Sequence, residues 1–166
     1  MGPVFVYPGS FCPPTFGHLY VVQKAAKIFE HLFIICSVNP NKSEQLFTSE
    51  ECADLWKSYP LPKNVTVTVL DEFAKKGVEA GRIVIIRGVR DGSDFDHEKG
   101  VVFLNYETMG IDKYFYLVSD NNHKNISSSS SRQLAKEMKL EKLSEYVSPS
   151  VVLAMLEKHQ ERKVKS

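Results

Sequence analysis

An α/β fold, a parallel five-stranded sheet with helices on both faces, is what the apolar pattern of this chain predicts, and three observations carry the prediction. Apolar runs rich in β-branched and aromatic residues recur at Val4–Tyr7, Leu32–Val38, Val65–Leu70, Ile83–Ile86 and Tyr114–Val118, each with the length and composition of a strand buried on both faces. Helical stretches fall between them at Leu19–Phe29, Ser49–Tyr59, Glu72–Glu79 and Phe95–Met109, with Ser128–Leu140 and Pro149–Arg162 after the last strand. The first strand runs directly into the turn Tyr7-Pro8-Gly9-Ser10-Phe11-Cys12-Pro13-Pro14-Thr15-Phe16-Gly17-His18 and then into the first helix. Parallel neighbours require helical crossovers that cover the sheet, so the alternation implies a Rossmann-like, doubly wound arrangement.

Taken in order, each strand ends in a polar segment suited to an anion. After the first strand comes a glycine turn and a helix start, where backbone amides lack intrahelical partners and the helix dipole adds partial positive charge. His18, in the first helical turn, points at such an anion. The second strand is followed by Asn39-Pro40-Asn41-Lys42, and the fourth by Arg87-Gly88-Val89-Arg90. Two arginines around a glycine can serve separate phosphates, because each guanidinium is a planar fork of donors and Gly88 lets the backbone approach a ligand. Asp91, Asp94, Asp96 and Glu98 come next; behind two arginines they suit salt bridges and a helix N-terminus better than a metal site. Asn121 to Ser131 follow the fifth strand, and the five serines Ser127–Ser131 exceed what capping one helix needs. In open parallel sheets ligands sit beyond the carboxyl ends of the strands where strand order reverses, so four loops are expected to converge on one cleft.

Composition bounds the rest. At 166 residues and 43% hydrophobic content, the chain fits one domain with a proper core, and a net charge of +1 offers no basic field for nucleic acid. We place that domain at residues 1–157 and read Lys158–Ser166 as a helix end fraying into a basic, polar, solvated tail. The three cysteines Cys12, Cys36 and Cys52 are odd in number and lack zinc-ligand spacing, which predicts free thiols in a reducing cytoplasm. The apolar runs are too short to cross a bilayer, so a soluble protein with no membrane partner is expected. His31, His97 and His159 read as surface or cap residues.

The turn Gly9-Ser10-Phe11-x-Pro13-x-Thr15-x-Gly17-His18 resembles the nucleotidylyltransferase superfamily, with Thr15 where the first histidine of His-x-Gly-His usually stands. That variant resembles the phosphopantetheine adenylyltransferase family. Arg87-Gly88-Val89-Arg90 through Asp94-Phe95-Asp96-His97-Glu98 is similar to that family's Arg-Gly-Leu-Arg-x-x-x-Asp-Phe-Glu-Tyr-Glu signature, differing at Val89, Asp96 and His97. Ile126-Ser127-Ser128-Ser129 resembles its Ile-Ser-Ser-Ser element. With Lys42 and Phe47-Thr48-x-Glu50-Glu51, the matches run in order over most of the chain.

The resemblance implies transfer of the adenylyl group of ATP to 4'-phosphopantetheine, giving dephospho-CoA and pyrophosphate in coenzyme A biosynthesis. An ionised phosphate attacking the α-phosphorus needs no general base, so positioning and charge neutralisation suffice. The catalytic residues implied are His18, Lys42 and Arg90. Ser10, Phe11, His18, Gly88, Val89, Arg90 and Glu98 fall where the family binds ATP, as do His123, Lys124, Asn125, Ile126, Ser127, Ser128 and Ser129. Ser10, Lys42, Phe73, Arg87 and Asn105 fall on the acceptor side. Mg2+ would be bound mainly through the ATP phosphates, with no protein metal ligands. A homo-oligomer, hexameric in the family, is also implied. The chain departs from the family at Cys12, where an aspartate is common, at Cys52, where an arginine is common, and around His123, where an aromatic neighbour is usual. The alternatives are a related nucleotidylyltransferase with another phosphate acceptor, such as nicotinamide mononucleotide, and a non-catalytic nucleotide-binding protein of the same fold.

Overall fold

The computed structural model describes residues 1–37 and 45–166, so Val38 and the predicted loop Asn39–Lys42, with the candidate Lys42, lie outside the described residues. The elements run β1 (Val4–Gly9), α1 (Phe16–Ile28), β2 (Leu32–Cys36), α2 (Ser49–Trp56), β3 (Val65–Val69), α3 (Leu70–Ala74), a 3₁₀ turn at Ala80–Arg82, β4 (Ile83–Val89), α4 (Gly92–Met109), β5 (Lys113–Val118), α5 (Ser128–Lys136), α6 (Leu140–Ser144) and α7 (Pro149–Lys165). The sheet is all parallel, in the order β3-β2-β1-β4-β5. It grows one way from β1 to β3, and the chain then crosses back to place β4 on the other side of β1. The reversal falls between the carboxyl ends of β1 and β4.

Side chains alternate faces along each central strand, and the alternation separates two cores. Val6, Ile35 and Ile85 meet Phe73 and Ile111 on one face. Tyr7, Ile34 and Ile86 meet residues of α1, α2, α5, α6 and α7 on the other, including the fully buried Trp56, Leu143 and Met155. Burying each such large side chain contributes roughly 1.5–3 kcal/mol, which fixes the register of the central strands.

Several boundaries differ from those expected, and these have local reasons. β1 and β4 run on to Gly9 and Val89 because their partners continue to pair with them, so Arg87 and Gly88 belong to a strand and not to the loop beyond it. Leu70 opens α3 instead of closing β3. The helix expected to reach Glu79 ends at Ala74, with Gly77 at φ +62° turning the chain away. The helix expected over Ser128–Leu140 is two helices: Met138 takes φ +56°, its N–H donating to the Ala135 carbonyl (3.1 Å) and that of Lys139 to Leu134 (2.9 Å). That is a Schellman stop with methionine in the position glycine prefers. The fraying expected from Lys158 is absent, because α7 is helical through Lys165. Lys158 Nζ meets Glu51 Oε1 at 2.8 Å and Arg162 donates to the Gln45 carbonyl at 2.8 Å, tying that end of the helix to α2 and the segment before it.

Candidate active site

Three polar segments meet where the strand order reverses. The first begins at Thr15, a fully buried N-cap whose hydroxyl accepts the His18 N–H at 3.3 Å, while its own N–H donates to His18 Nδ1 at 3.1 Å. This reciprocal cap has a chemical consequence. Because Nδ1 accepts a hydrogen bond, the neutral ring carries its proton on Nε2 and offers it as a donor. Burial, reinforced by the charges of Arg87 and Arg90, pushes the imidazole down to about 4, so His18 is neutral at pH 7. The Phe11 ring meets its ring edge-on at 5.0 Å and Trp56 at 5.2 Å, bracing the histidine. Phe11 itself sits at φ +45° with its side chain buried over Gly9, so what this residue offers a ligand is mainly backbone. Gly17 is required for a different reason: a Cβ there would lie 2.9 Å from the Ile126 carbonyl oxygen, where α1 meets the loop before α5.

The second segment is the end of β4 with α4. Both oxygens of Glu98, itself buried, accept from Arg87, from Nε at 3.0 Å and Nη2 at 2.7 Å, while Arg87 Nη1 reaches the Pro8 carbonyl at 3.3 Å. Burial opposes the Arg87 charge, but the hydrogen bonds and charge of Glu98 outweigh it and raise its pKa. Arg90, at the cleft edge, is held in the same way by Asp94, through Nε (2.8 Å) and Nη2 (3.0 Å). Asp94, His97, Glu98, Val101 and Asn105 recur at helical spacing, so one face of α4 lines the cleft. Asn105 Nδ2 donates to the Tyr114 hydroxyl at 2.6 Å. Gly88 allows α1 to approach β4, since a Cβ there would meet Val21 Cγ2 at 2.7 Å.

The third segment follows β5. His123 Nδ1 bonds Asp120 at 2.5 Å and its ring stacks on Tyr20 at 4.5 Å, so the aromatic partner that its own loop lacks comes from α1. Ser127 caps α5, with the Ser130 N–H donating to its hydroxyl at 3.0 Å. The next two serines turn toward the first segment: Ser128 Oγ donates to the Pro13 carbonyl at 2.8 Å, and Arg132 bonds both the Cys12 carbonyl (2.6 Å) and Ser129 Oγ (3.3 Å). The run of serines therefore divides its work between capping α5 and joining it to the loop after β1.

Together these segments enclose a cleft of about 760 Å³, lined by Ser10, His18, Arg87, Arg90, His123 and Ser127 to Ser129 among others. Phe11, Gly88, Glu98, Asn105 and Ile126 line it as well. Other candidates fall elsewhere. Phe73 packs in the smaller core against Phe33, with ring centroids 5.4 Å apart, and does not line the cleft. Val89 is buried and does not line it, and Lys124 and Asn125 are exposed in the turn after β5. His97, expected as a surface residue, is exposed and also borders the cleft. Arg132 and Asp94 were not singled out for the site. An arginine one turn into a helix that follows a serine run, and an aspartate four residues past an arginine, were the signals available.

Cys12 also borders the cleft. A hydrogen bond from Cys52 and the Phe47 and Leu46 backbone hold its thiol below the usual cysteine range, against the effect of burial. All three cysteines are free and buried. No helix among the described residues is long and apolar enough to cross a membrane.

This combination of a Rossmann-like sheet and a histidine-bearing helix start defines a class. Residues 6–134 match the cytidylyltransferase-like family, and the chain belongs to it. Within that class it is a member of the phosphopantetheine adenylyltransferases: it is 32% identical over 132 residues to phosphopantetheine adenylyltransferase of Oenococcus oeni, covering 79% of this chain and 83% of the relative. It is 35% identical over 141 residues to that of Aquifex aeolicus, covering 81% and 84%. Among solved structures it is similar in fold to Plasmodium falciparum nicotinic acid mononucleotide adenylyltransferase complexed with NaAD, with a TM-score of 0.64 at 13% identity over 95% of this chain and 96% of that one. Thermotoga maritima TmcAL bound with alpha-thio ATP gives a TM-score of 0.60 at 12% identity, over 97% of this chain and 56% of that one.

Proposed function

We propose that this chain transfers the adenylyl group of ATP to 4'-phosphopantetheine, releasing pyrophosphate and forming dephospho-CoA. The observation that carries the reading is the convergence of His18, Arg87 and Arg90, each held in place by a partner, on one cleft bounded by the N-termini of α1 and α5. Such a site offers donors to several phosphates at once, as suits a reaction whose nucleophile is an ionised phosphate.

In this mechanism an oxygen of the acceptor phosphate bonds to the α-phosphorus while the bond from that phosphorus to the bridging oxygen breaks, and pyrophosphate leaves with the electron pair. His18 Nε2–H donates to the α-phosphate oxygens as charge grows on them. Arg90 and the open amides at Ser128 and Ser129 hold the nucleotide's phosphates, with Gly88 and His123 beside them. Arg87 holds the acceptor's phosphate and Asn105 the pantetheine arm. Ser10 and Lys42 orient the reacting phosphates, Lys42 on the family resemblance alone.

The residues fit a magnesium ion carried by the nucleotide. Glu98 and Asp94 are each bound to an arginine, so they present no open carboxylate pair, and a hard cation here takes its oxygens from phosphates and water. When bound, the ion would neutralise charge on the leaving pyrophosphate. A cytoplasmic setting accords with the free thiols. A homo-oligomer, hexameric by family resemblance, accords with the exposed Phe95, Leu104 and Met109 along α4.

The test is pyrophosphate release from ATP and magnesium with a panel of 4'-phosphopantetheine, nicotinamide mononucleotide and glycerol phosphate. Release is expected with 4'-phosphopantetheine alone. Faster turnover with nicotinamide mononucleotide would replace this reading with the related one.

A further inference from the structure

Two arginines face the cleft, and α4 supplies each with a carboxylate. Asp94 and Glu98 are four residues apart on one helix face, so they stand one above the other, opposite Arg90 and Arg87. The contacts repeat: in each pair the carboxylate takes the Nε and Nη2 edge of the guanidinium. A guanidinium has five N–H donors, so Arg90 keeps both hydrogens of Nη1 and one of Nη2 for a ligand. Asp94 is itself fixed. Its Oδ2 also accepts the Arg90 backbone N–H at 2.9 Å, and its own N–H donates to Asp91 Oδ1 at 3.0 Å, so the carboxylate is locked into the first turn of α4.

We infer that Asp94 is a positioning residue: it holds the Arg90 guanidinium at the cleft edge with its remaining donors free for the nucleotide's phosphates, and it thereby sets the affinity for ATP. Left to itself, a half-exposed arginine samples many rotamers, and fixing one costs side-chain entropy. An ion pair already in place meets that cost before the ligand arrives. Glu98 does the same for Arg87 from a buried position. α4 is in this sense a ruler that spaces two phosphate-binding arginines.

The inference rests on the proposed role of Arg90, and a double-mutant cycle separates the two. ATP and 4'-phosphopantetheine are titrated calorimetrically into wild type, Asp94→Ala, Asp94→Asn, Arg90→Ala and the Arg90→Ala/Asp94→Ala double variant, with thermal melts confirming that each is folded. Asp94→Ala is expected to weaken ATP about tenfold, the low end of the range for carboxylates that orient metal-binding histidines, and to leave 4'-phosphopantetheine unchanged. Asp94→Asn, which keeps the acceptor oxygen and loses the charge, should fall between. Adding Asp94→Ala to Arg90→Ala should change ATP affinity by less than about twofold, because no guanidinium remains to be aimed. An equal loss in the Arg90→Ala background would make Asp94 a helix cap only. Tighter ATP binding by Asp94→Ala would make it a mask over Arg90. Either result overturns the inference while Arg90 keeps its role. If Arg90→Ala binds ATP as wild type does, the role of Arg90 falls first.

Discussion

His18 is the third residue of α1, and the Thr15 N–H fills its Nδ1 before any ligand is present. The threonine that stands in place of a histidine in this variant of the motif therefore sets the tautomer of the histidine that remains. A neutral ring with its proton on Nε2 donates without bringing a permanent charge into the cleft. The folded-state pKa of about 4 lies below the ordinary value, so the unfolded chain takes up a proton that the native chain refuses. Stability contributed by neutral His18 is thus present above about pH 6.5 and is lost as pH falls from there toward 4. By proton NMR the His18 ring should titrate close to 4 in the free protein; a midpoint near 6.5 would mean that burial and the two arginines do not act on it as described. His18→Ala should lower kcat by about 10²–10³ with little change in ATP affinity, the size expected for one lost transition-state donor. Thr15→Ala should cost about 1 kcal/mol of stability, measured by denaturant unfolding, through loss of the cap.

At the scale of elements, the helices do two kinds of work. α1 and α5 present their N-termini to the cleft, joined by the Ser128 and Arg132 contacts to the loop after β1. α6 and α7 hold that arrangement from behind: the Phe16 N–H donates to the Tyr146 carbonyl at 2.9 Å, and the Tyr59 hydroxyl links the Pro14 carbonyl (2.6 Å) to the Ser148 N–H (3.2 Å). The break between α5 and α6 rests on Met138 in a left-handed conformation, which a residue with a Cβ adopts at a cost. The side chain is 60% exposed and contributes little packing. Met138→Gly should therefore stabilise the protein by about 0.5–1 kcal/mol in denaturant unfolding. A loss of stability would show that the methionine side chain matters more than the backbone strain. Elements with a strong apolar period, such as β2 and α1, were legible in the sequence. The α5 break was not, because no glycine or proline marks it and a Schellman stop is visible only once the backbone bonds are formed.

For the molecule as a whole, strand–helix alternation was enough to place the cleft, because a doubly wound sheet brings its carboxyl-end loops together whatever their sequence. Sequence motifs then found Ser10, His18, Arg87, Arg90 and Ser127 to Ser129, which line it. Phe73 lies in the smaller core and away from the cleft, and its place depends on which face of the sheet α3 covers, which its weakly patterned stretch does not reveal. That acids behind Arg87 and Arg90 form salt bridges was legible; which acid meets which arginine, Glu98 with Arg87 and Asp94 with Arg90, was not, because it depends on how α4 packs against β4. In the proposed reaction one cleft holds two phosphate-bearing ligands on separately anchored arginines. Calorimetric titration of ATP and 4'-phosphopantetheine into Arg87→Ala and Arg90→Ala decides whether it does. A lost charge-assisted hydrogen bond costs about 1.5–3 kcal/mol, so Arg87→Ala should weaken 4'-phosphopantetheine roughly 10- to 150-fold and spare ATP, and Arg90→Ala should do the reverse. If both variants lose the same ligand, or neither loses any, the two-site account is contradicted.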